Sequence, residues 1–151
     1  MAIVRMLHVA LGVTEIARSL AFYRDLLGFT VVRETTFVGA ASGRALGVSG
    51  DAFDAVLLVR DGVRLELVRR VAVAHDDVAA PGGSLSHLAL AVDDLAATVH
   101  SLRGRGATVV PETLTEHAAG VLSCLIRDPD GLAIALYQAP AGVASPWDVE
   151  P

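Results

Sequence analysis

Residues 8–32 read HVALGVTEIARSLAFYRDLLGFTVV, and residues 87–110 read HLALAVDDLAATVHSLRGRGATVV. Each stretch opens with a histidine in an apolar run, crosses a polar break, and ends in glycine and a paired-valine strand. His8 and His87 stand 79 positions apart, as do Val13 and Val92, whereas Gly28 and Gly106 stand 78 apart. That slip of one residue falls in the helix or at its end. The tails repeat as well: residues 61–67 (DGVRLEL) match residues 130–136 (DGLAIAL), 69 positions apart. Laid over one another, the copies define four equivalent positions, His8, Glu66, His87 and Ala135. Three carry side chains that bind metals, and the fourth carries only a methyl group.

The pattern around the repeat predicts two βαβββ modules. An apolar run over 4–12 reads as a first strand. Thr14 is placed to cap a helix that runs to about Leu27, with Ile16, Leu20, Tyr23 and Leu27 on one face and Gly28 as its stop. The β-branched residues of 29–37 predict a second strand, followed by a long Gly/Ala/Ser loop over 38–52. Strands over 53–60 and 63–71 flank Asp61-Gly62, a two-residue hairpin signal. Module one then spans 4–71, a linker 72–84, module two 85–138 and a tail 139–151. In module two, a strand over 85–92 leads to Asp93 as cap, a helix over 94–104 and a strand over 107–111. A loop through His117, strands over 120–127 and 132–138, and the turn Asp128-Pro129-Asp130-Gly131 complete it.

Composition narrows the class. The chain has 151 residues, 53% of them hydrophobic and 5% aromatic, so Val, Leu, Ile and Ala build the core of one compact α+β domain made of the two modules. A net charge of −5 leaves no basic stripe for nucleic acid. No apolar run approaches the roughly 20 residues that span a bilayer, and Arg5 interrupts the start, which does not read as a signal peptide. A single cysteine, Cys124, excludes an intrachain disulfide and fits a reducing cytoplasm. There is no lysine, which excludes Schiff-base chemistry and a Walker-type phosphate site.

Strand alternation then sorts the faces. Val9, Leu11, Val13, Leu65, Leu67, Leu88, Leu90, Ile134 and Leu136 form the large aliphatic set that packs on helices. His8, Ala10, Gly12, Glu66, His87, Ala89, Ala91, Ala135 and Tyr137 fall on the opposite faces. Small residues with a few polar groups suit a sheet curved around a cavity.

The motifs LHVALGV, YRDLLGF, RLELV, SHLALAVDDL and RDPDGLAIALYQ together resemble the vicinal oxygen chelate superfamily, the glyoxalase, bleomycin-resistance and dioxygenase group, over about residues 4–138. The resemblance implies a glyoxalase-like fold, two βαβββ modules forming a curved mixed sheet around a cavity, and a homodimer. It also implies a divalent metal ion, one of Zn, Ni, Co, Mn, Mg or Fe(II). In metal-binding members the ligands are a His on the first strand, Glu or Gln on the fourth, His on the fifth and Glu on the eighth. Those positions are matched here by His8, Glu66, His87 and Ala135. The last is a departure, and it removes a carboxylate on which the glyoxalase I reaction relies.

The implied function is a metal-dependent enzyme with His8, Glu66 and His87 as ligands. It would act on a small molecule with vicinal oxygens by isomerase, epimerase or lyase-type enolisation, or by Fe(II) oxygenation. Glu66 is also a candidate general base. His117, with Glu116, is a candidate substitute for the missing carboxylate, and Tyr137 a candidate hydrogen-bond donor facing the cavity. Arg64, on the face of Glu66, is a candidate holder of a substrate carboxylate. His75 with Asp76 and Asp77 reads as a solvated run, His100 as surface and Cys124 as a core thiol. Trp147 is a candidate anchor for the tail. The competing reading is a metal-free protein that binds or sequesters a small molecule such as an antibiotic.

Overall fold

A computed structural model describes residues 5–39, 52–71 and 85–143. Most of the 38–52 loop, the 72–84 linker with His75, Asp76 and Asp77, and the tail from 144 with Trp147 lie outside the described residues. The chain divides into two compact units, Met1–Gly83 and Ser84–Pro151. Among the described residues no helix is long and apolar enough to cross a membrane.

The first unit runs β1 (Val9–Gly12), α1 (Ile16–Leu20) continuing as a π-helical segment (Ala21–Leu26), β2 (Thr30–Val38), β3 (Ala52–Arg60) and β4 (Val63–Arg70). Its sheet has the order β1-β4-β3-β2. β1 pairs with β4 in parallel, and the other neighbours are antiparallel. The β3–β4 hairpin turns at Asp61 and Gly62, with φ of 50° and 79°. A type I′ turn needs positive φ at both central residues, which explains Asp-Gly there.

The cap of α1 is Glu15, not the Thr14 that the sequence pattern suggests. Glu15 Oε1 accepts the Ala17 N–H at 2.9 Å, while the Thr14 hydroxyl accepts from Arg18 Nη2 at 2.7 Å. The Arg18 guanidinium thus occupies the hydroxyl that would otherwise cap the helix. The helix also widens. Leu27 N donates to Phe22 O at 3.0 Å, a five-residue span. Five α-helical and six π-helical residues stand where the second unit has ten helical residues, which absorbs the one-residue slip in the repeat. The wider turn brings both Phe22 and Tyr23 inward, at 4% and 0% exposure. Tyr23 stacks edge-on with Phe22 and with Phe29, ring centroids 5.1 and 6.1 Å away. Each such buried side chain contributes about 1.5–3 kcal/mol by removal from water. They cover the aliphatic face of the sheet, with Leu11, Val56, Leu58, Leu65 and Leu67 all buried.

The second unit repeats the plan: β5 (His87–Ala91), α2 (Leu95–Gly104), β6 (Thr108–Glu116), a short 3-10 turn at Ala118–Gly120, β7 (Leu122–Arg127) and β8 (Ala133–Gln138). Its order is β5-β8-β7-β6, with β5 parallel to β8. Here too the cap sits one residue on, at Asp94, whose Oδ1 accepts the Ala97 N–H at 2.8 Å. Asp93 instead accepts the Asp94 N–H at 2.9 Å. Gln138 Oε1 accepts the first helical N–H, from Leu95, at 2.7 Å and ties α2 to β8.

The segment 112–117, predicted as loop, is largely strand. β6 continues to Glu116 because it re-pairs with β7 after an irregularity, Val110 opposite Leu125 and Thr115 opposite Ser123. The intervening residues 111–114 arch away, and the Thr113 hydroxyl accepts the Leu125 N–H at 2.8 Å in place of a backbone carbonyl. Cys124, opposite the arch, is 2% exposed and is the predicted core thiol. His100 is exposed, also as predicted.

Candidate active site

Register sets the first unit's polar group. Parallel pairing places Ala10 beside Glu66, and Leu11 beside Leu67. His8, two residues before Ala10, therefore projects to the face of Glu66. The structure brings the two together: His8 Nε2 lies 3.2 Å from Glu66 Oε2. Glu66 is 4% exposed, while the His8 side chain is 32% exposed. The pair therefore has a buried carboxylate behind a partly open imidazole.

A third member was not legible from alternation. Thr30 and Val31 pair with Val59 and Leu58, but Arg33 pairs with Leu57, so Val32 is an extra residue in β2. This bulge turns Arg33 from the helix side of the sheet to the face of Leu57 and Glu66. Its Nη2 lies 3.9 Å from Glu66 Oε1. Arg64, the predicted cation on this face, is exposed and makes no ion pair within 4 Å among the described residues. The only advance signal for Arg33 was the run Thr30-Val31-Val32-Arg33, where a strand pattern breaks phase.

In the second unit His87 opens β5 opposite Ala133, and its Nδ1 shares a hydrogen bond of 3.0 Å with the Ser86 hydroxyl. Ala135 pairs with Ala89 and Leu125 and is 2% exposed. Its small, buried setting offers no donor where Glu66 stands in the first unit. His117 and Tyr137 come together, ring centroids 6.2 Å apart. His117 Nε2 shares a hydrogen bond of 2.8 Å with Ser123 Oγ, and Ser123 pairs with Tyr137 across β7 and β8. Tyr137 lies two residues along β8 from Ala135 and so on the same face. Glu116, predicted beside His117 on a loop, is the exposed last residue of β6. Ser123 was missed in the sequence, where it reads as one more strand residue.

Among the described residues no three His, Cys, Asp or Glu side chains gather into a group that could hold a metal ion. A cleft of about 630 Å³ lies on the helix side of the second sheet, between α2 and the arched β6, and is lined by Val99, His100, Leu114 and Cys124 among others. None of its lining residues is one of the four repeat-equivalent positions, so volume and ligand chemistry point to different places. The ligand chemistry carries more weight, because a buried carboxylate beside an imidazole needs a specific cause and an apolar cleft does not.

Comparison with known proteins agrees with this layout. Residues 5–136 match the Glyoxalase/Bleomycin resistance protein/Dioxygenase superfamily. The chain belongs to that superfamily. It is 29% identical over 136 residues to lactoylglutathione lyase of Salmonella typhimurium, covering 89% of this chain and 93% of that one. A probable lactoylglutathione lyase of Synechocystis is 28% identical over 134 residues, with 88% and 94% covered. Among solved structures, a glyoxalase family protein of Bacillus cereus matches with a TM-score of 0.72 at 23% identity, covering 91% of this chain and 95% of that one. Leishmania major glyoxalase I matches with a TM-score of 0.61 at 25% identity, over 89% and 86%. The fold is therefore that of the superfamily, two modules each with a four-stranded mixed sheet.

Proposed function

We propose that this superfamily member is a metal-dependent enzyme acting on a small organic molecule with vicinal oxygens, through isomerase, epimerase or lyase-type proton transfer. The observation that carries the reading is the His8–Glu66 pair at 3.2 Å. Two donors each about 2.1 Å from one ion lie about 3.0 Å apart at right angles and about 3.4 Å apart at a tetrahedral angle. The spacing of Nε2 and Oε2 falls between these values and is also that of a direct hydrogen bond, so it supports the two side chains as neighbouring ligands of the proposed cation. His87, the repeat equivalent of His8, is assigned as the third ligand. A set of two imidazoles and one carboxylate suits several of these ions, iron included. When bound, such a cation polarises the substrate's oxygens and acidifies the neighbouring C–H.

The chain's own groups divide the remaining work. Glu66 would help hold the ion and is also assigned as the general base that takes a proton. His117 and Tyr137 are assigned as the proton-handling groups that stand in for the carboxylate missing at Ala135. His117 is kept in orientation by Ser123 Oγ. Ala135 argues against the lactoylglutathione lyase reaction of the Salmonella relative, because one carboxylate cannot supply what two do. A homodimer in the cytoplasm is the proposed working form.

Elemental analysis of protein purified without chelator or affinity metal tests the reading. Stoichiometric metal is expected, lost in both His8→Ala and Glu66→Ala. A wild-type chain that is metal-free and takes up no added Zn, Ni, Co, Mn or Fe(II) overturns it in favour of a metal-free binding protein. Iron together with oxygen-dependent turnover would move the chemistry to oxygenation.

A further inference from the structure

We propose that the cleft between α2 and β6 binds a small carboxylic acid with an apolar body, anchored by its carboxylate on Arg103. The site lies wholly within the second unit, and the proposal does not depend on the metal-enzyme reading above.

The sequence explains the cleft on both of its walls. In the first unit Phe22, Tyr23 and Phe29 are all buried and cover the sheet. Residues 85–136 contain no Phe, Tyr or Trp, and Ala107 follows Gly106 where Phe29 follows Gly28. The helix of the second unit therefore brings no ring to fill the space. The other wall is set by backbone. Pro111 has no N–H to give to a ladder, and pairing with β7 lapses between Val110 and Thr115. The gap left is about 630 Å³, within the range of pockets that take small organic molecules. Its lining includes the buried Leu95 and Cys124 and the half-buried Val99, Val109 and Leu122. Leu114, on the arch, lines it at 64% exposure, a large apolar side chain left open to water.

An apolar gap alone names no ligand, and here charge does. Arg103 stands in the last turn of α2 and lines the cleft, with His100 one turn before it. Arg24, Arg60 and Arg69 each meet a carboxylate at 2.6–3.1 Å, whereas Arg103 meets none within 4 Å among the described residues. Its fork of N–H donors is open to a carboxylate, which it can hold at two points. Glu116 is the acidic residue of the lining, and register places it at the opposite end. Gln138 accepts the Leu95 N–H at the start of α2, and Gln138, Leu122 and Glu116 stand opposite one another across β8, β7 and β6. From Leu95 to Arg103 the helix rises about 12 Å. The cleft is thus cationic at one end, acidic at the other and apolar between. A ligand with one carboxylate and an uncharged tail satisfies all three parts. A dicarboxylate spanning the cleft would set its second charge against Glu116. An amine would find one carboxylate at Glu116 but would face the more strongly charged Arg103 and His100 end with its tail.

Isothermal titration with chelator present tests this, using octanoate, octanol and octylamine, whose extended chains fit within the cleft. Wild type should bind octanoate at least about tenfold more tightly than octanol or octylamine. Arg103→Leu should weaken octanoate at least about tenfold, to the level of octanol, and Arg103→Lys should recover part of the loss. Arg105→Leu removes a charge two residues on that does not line the cleft, and should leave octanoate binding unchanged. Val99→Trp, which fills the cleft, should weaken octanoate and octanol alike. The proposal is overturned if wild type binds no octanoate, or binds octanol or octylamine as tightly. It is equally overturned if Arg103→Leu leaves octanoate binding intact, or weakens it no more than Arg105→Leu does. Full octanoate binding by a folded Val99→Trp chain overturns the placement in this cleft.

Discussion

The two units share strand order and pairing sense, and each departs from regular pairing in its second strand. In the first unit the departure is one residue, Val32, and it swings a cation onto the face of Glu66. In the second it is the arch 111–114, beside which the cleft under α2 lies, while Ala135 is flanked by Ala89 and Leu125. One device applied to two copies of a module thus produces different results. The first copy gathers His8, Glu66 and Arg33, and the second gathers His117, Ser123 and Tyr137. The lesson is that duplication preserves topology more strictly than chemistry. Topology depends on the whole apolar pattern, whereas chemistry depends on single side chains and local register.

The largest effect is expected where the copies differ in their helices. Tyr23→Ala should cost about 3–5 kcal/mol, the range for deleting a large buried aromatic, because Tyr23 is fully enclosed between Phe22 and Phe29. Chemical denaturation measures it, and a loss under about 1 kcal/mol would mean the widened helix is not what seals the first unit.

Ala135→Glu makes the second sheet resemble the first. Without metal it should destabilise the chain by about 1–3 kcal/mol, since a carboxylate enters a buried site flanked by Ala89 and Leu125. Added divalent metal should raise the melting temperature of this variant more than that of wild type. An equal rise in both would show that position 135 has no access to the metal.

Thr113→Val tests the arch. It removes the hydroxyl that accepts from Leu125 N, with an expected loss of about 1–3 kcal/mol for the stranded donor. Unchanged stability would show that water or another acceptor takes its place.

The smallest effect is a pH dependence on the helix side of the first sheet. The Arg69 hydrogen bond, and after it the Thr36 hydroxyl, hold the Asp54 carboxyl below its ordinary value of 3.8. A lowered folded-state value means the contribution is present above about pH 3.8 and is lost as pH falls through the lower folded value. Asp54→Asn should flatten that acid limb, and stability curves that superimpose with wild type below about pH 4 would contradict it.

Much of this was legible in the residues. The apolar alternation of Leu65-Glu66-Leu67 and Ile134-Ala135-Leu136 placed Glu66 and Ala135 on the faces opposite the large aliphatic side chains, because successive side chains of a strand point to opposite faces. Asp61-Gly62 fixed a hairpin because few residue pairs tolerate two positive φ values. The caps were each misread by one residue. Thr14 and Asp93 are good caps by type, but the competing partners, Arg18 and the Asp94 N–H, become visible only in three dimensions. His117 and Tyr137 were flagged separately, and Ser123, which binds one and pairs with the other, was not.

Residue type and periodicity alone settled the duplication, the module order, and the four equivalent positions with an alanine at one of them, and the motifs carried the family resemblance. These are local properties of the chain, and they survive in any register. Three-dimensional pairing was needed to establish that His8 and Glu66 meet at 3.2 Å and that Arg33, not Arg64, is the cation beside them. The physical reason is register. A bulge leaves each residue's type unchanged while reversing the side on which every later side chain emerges, so the placement of Arg33 is settled by pairing with β3 and not by its own stretch of chain.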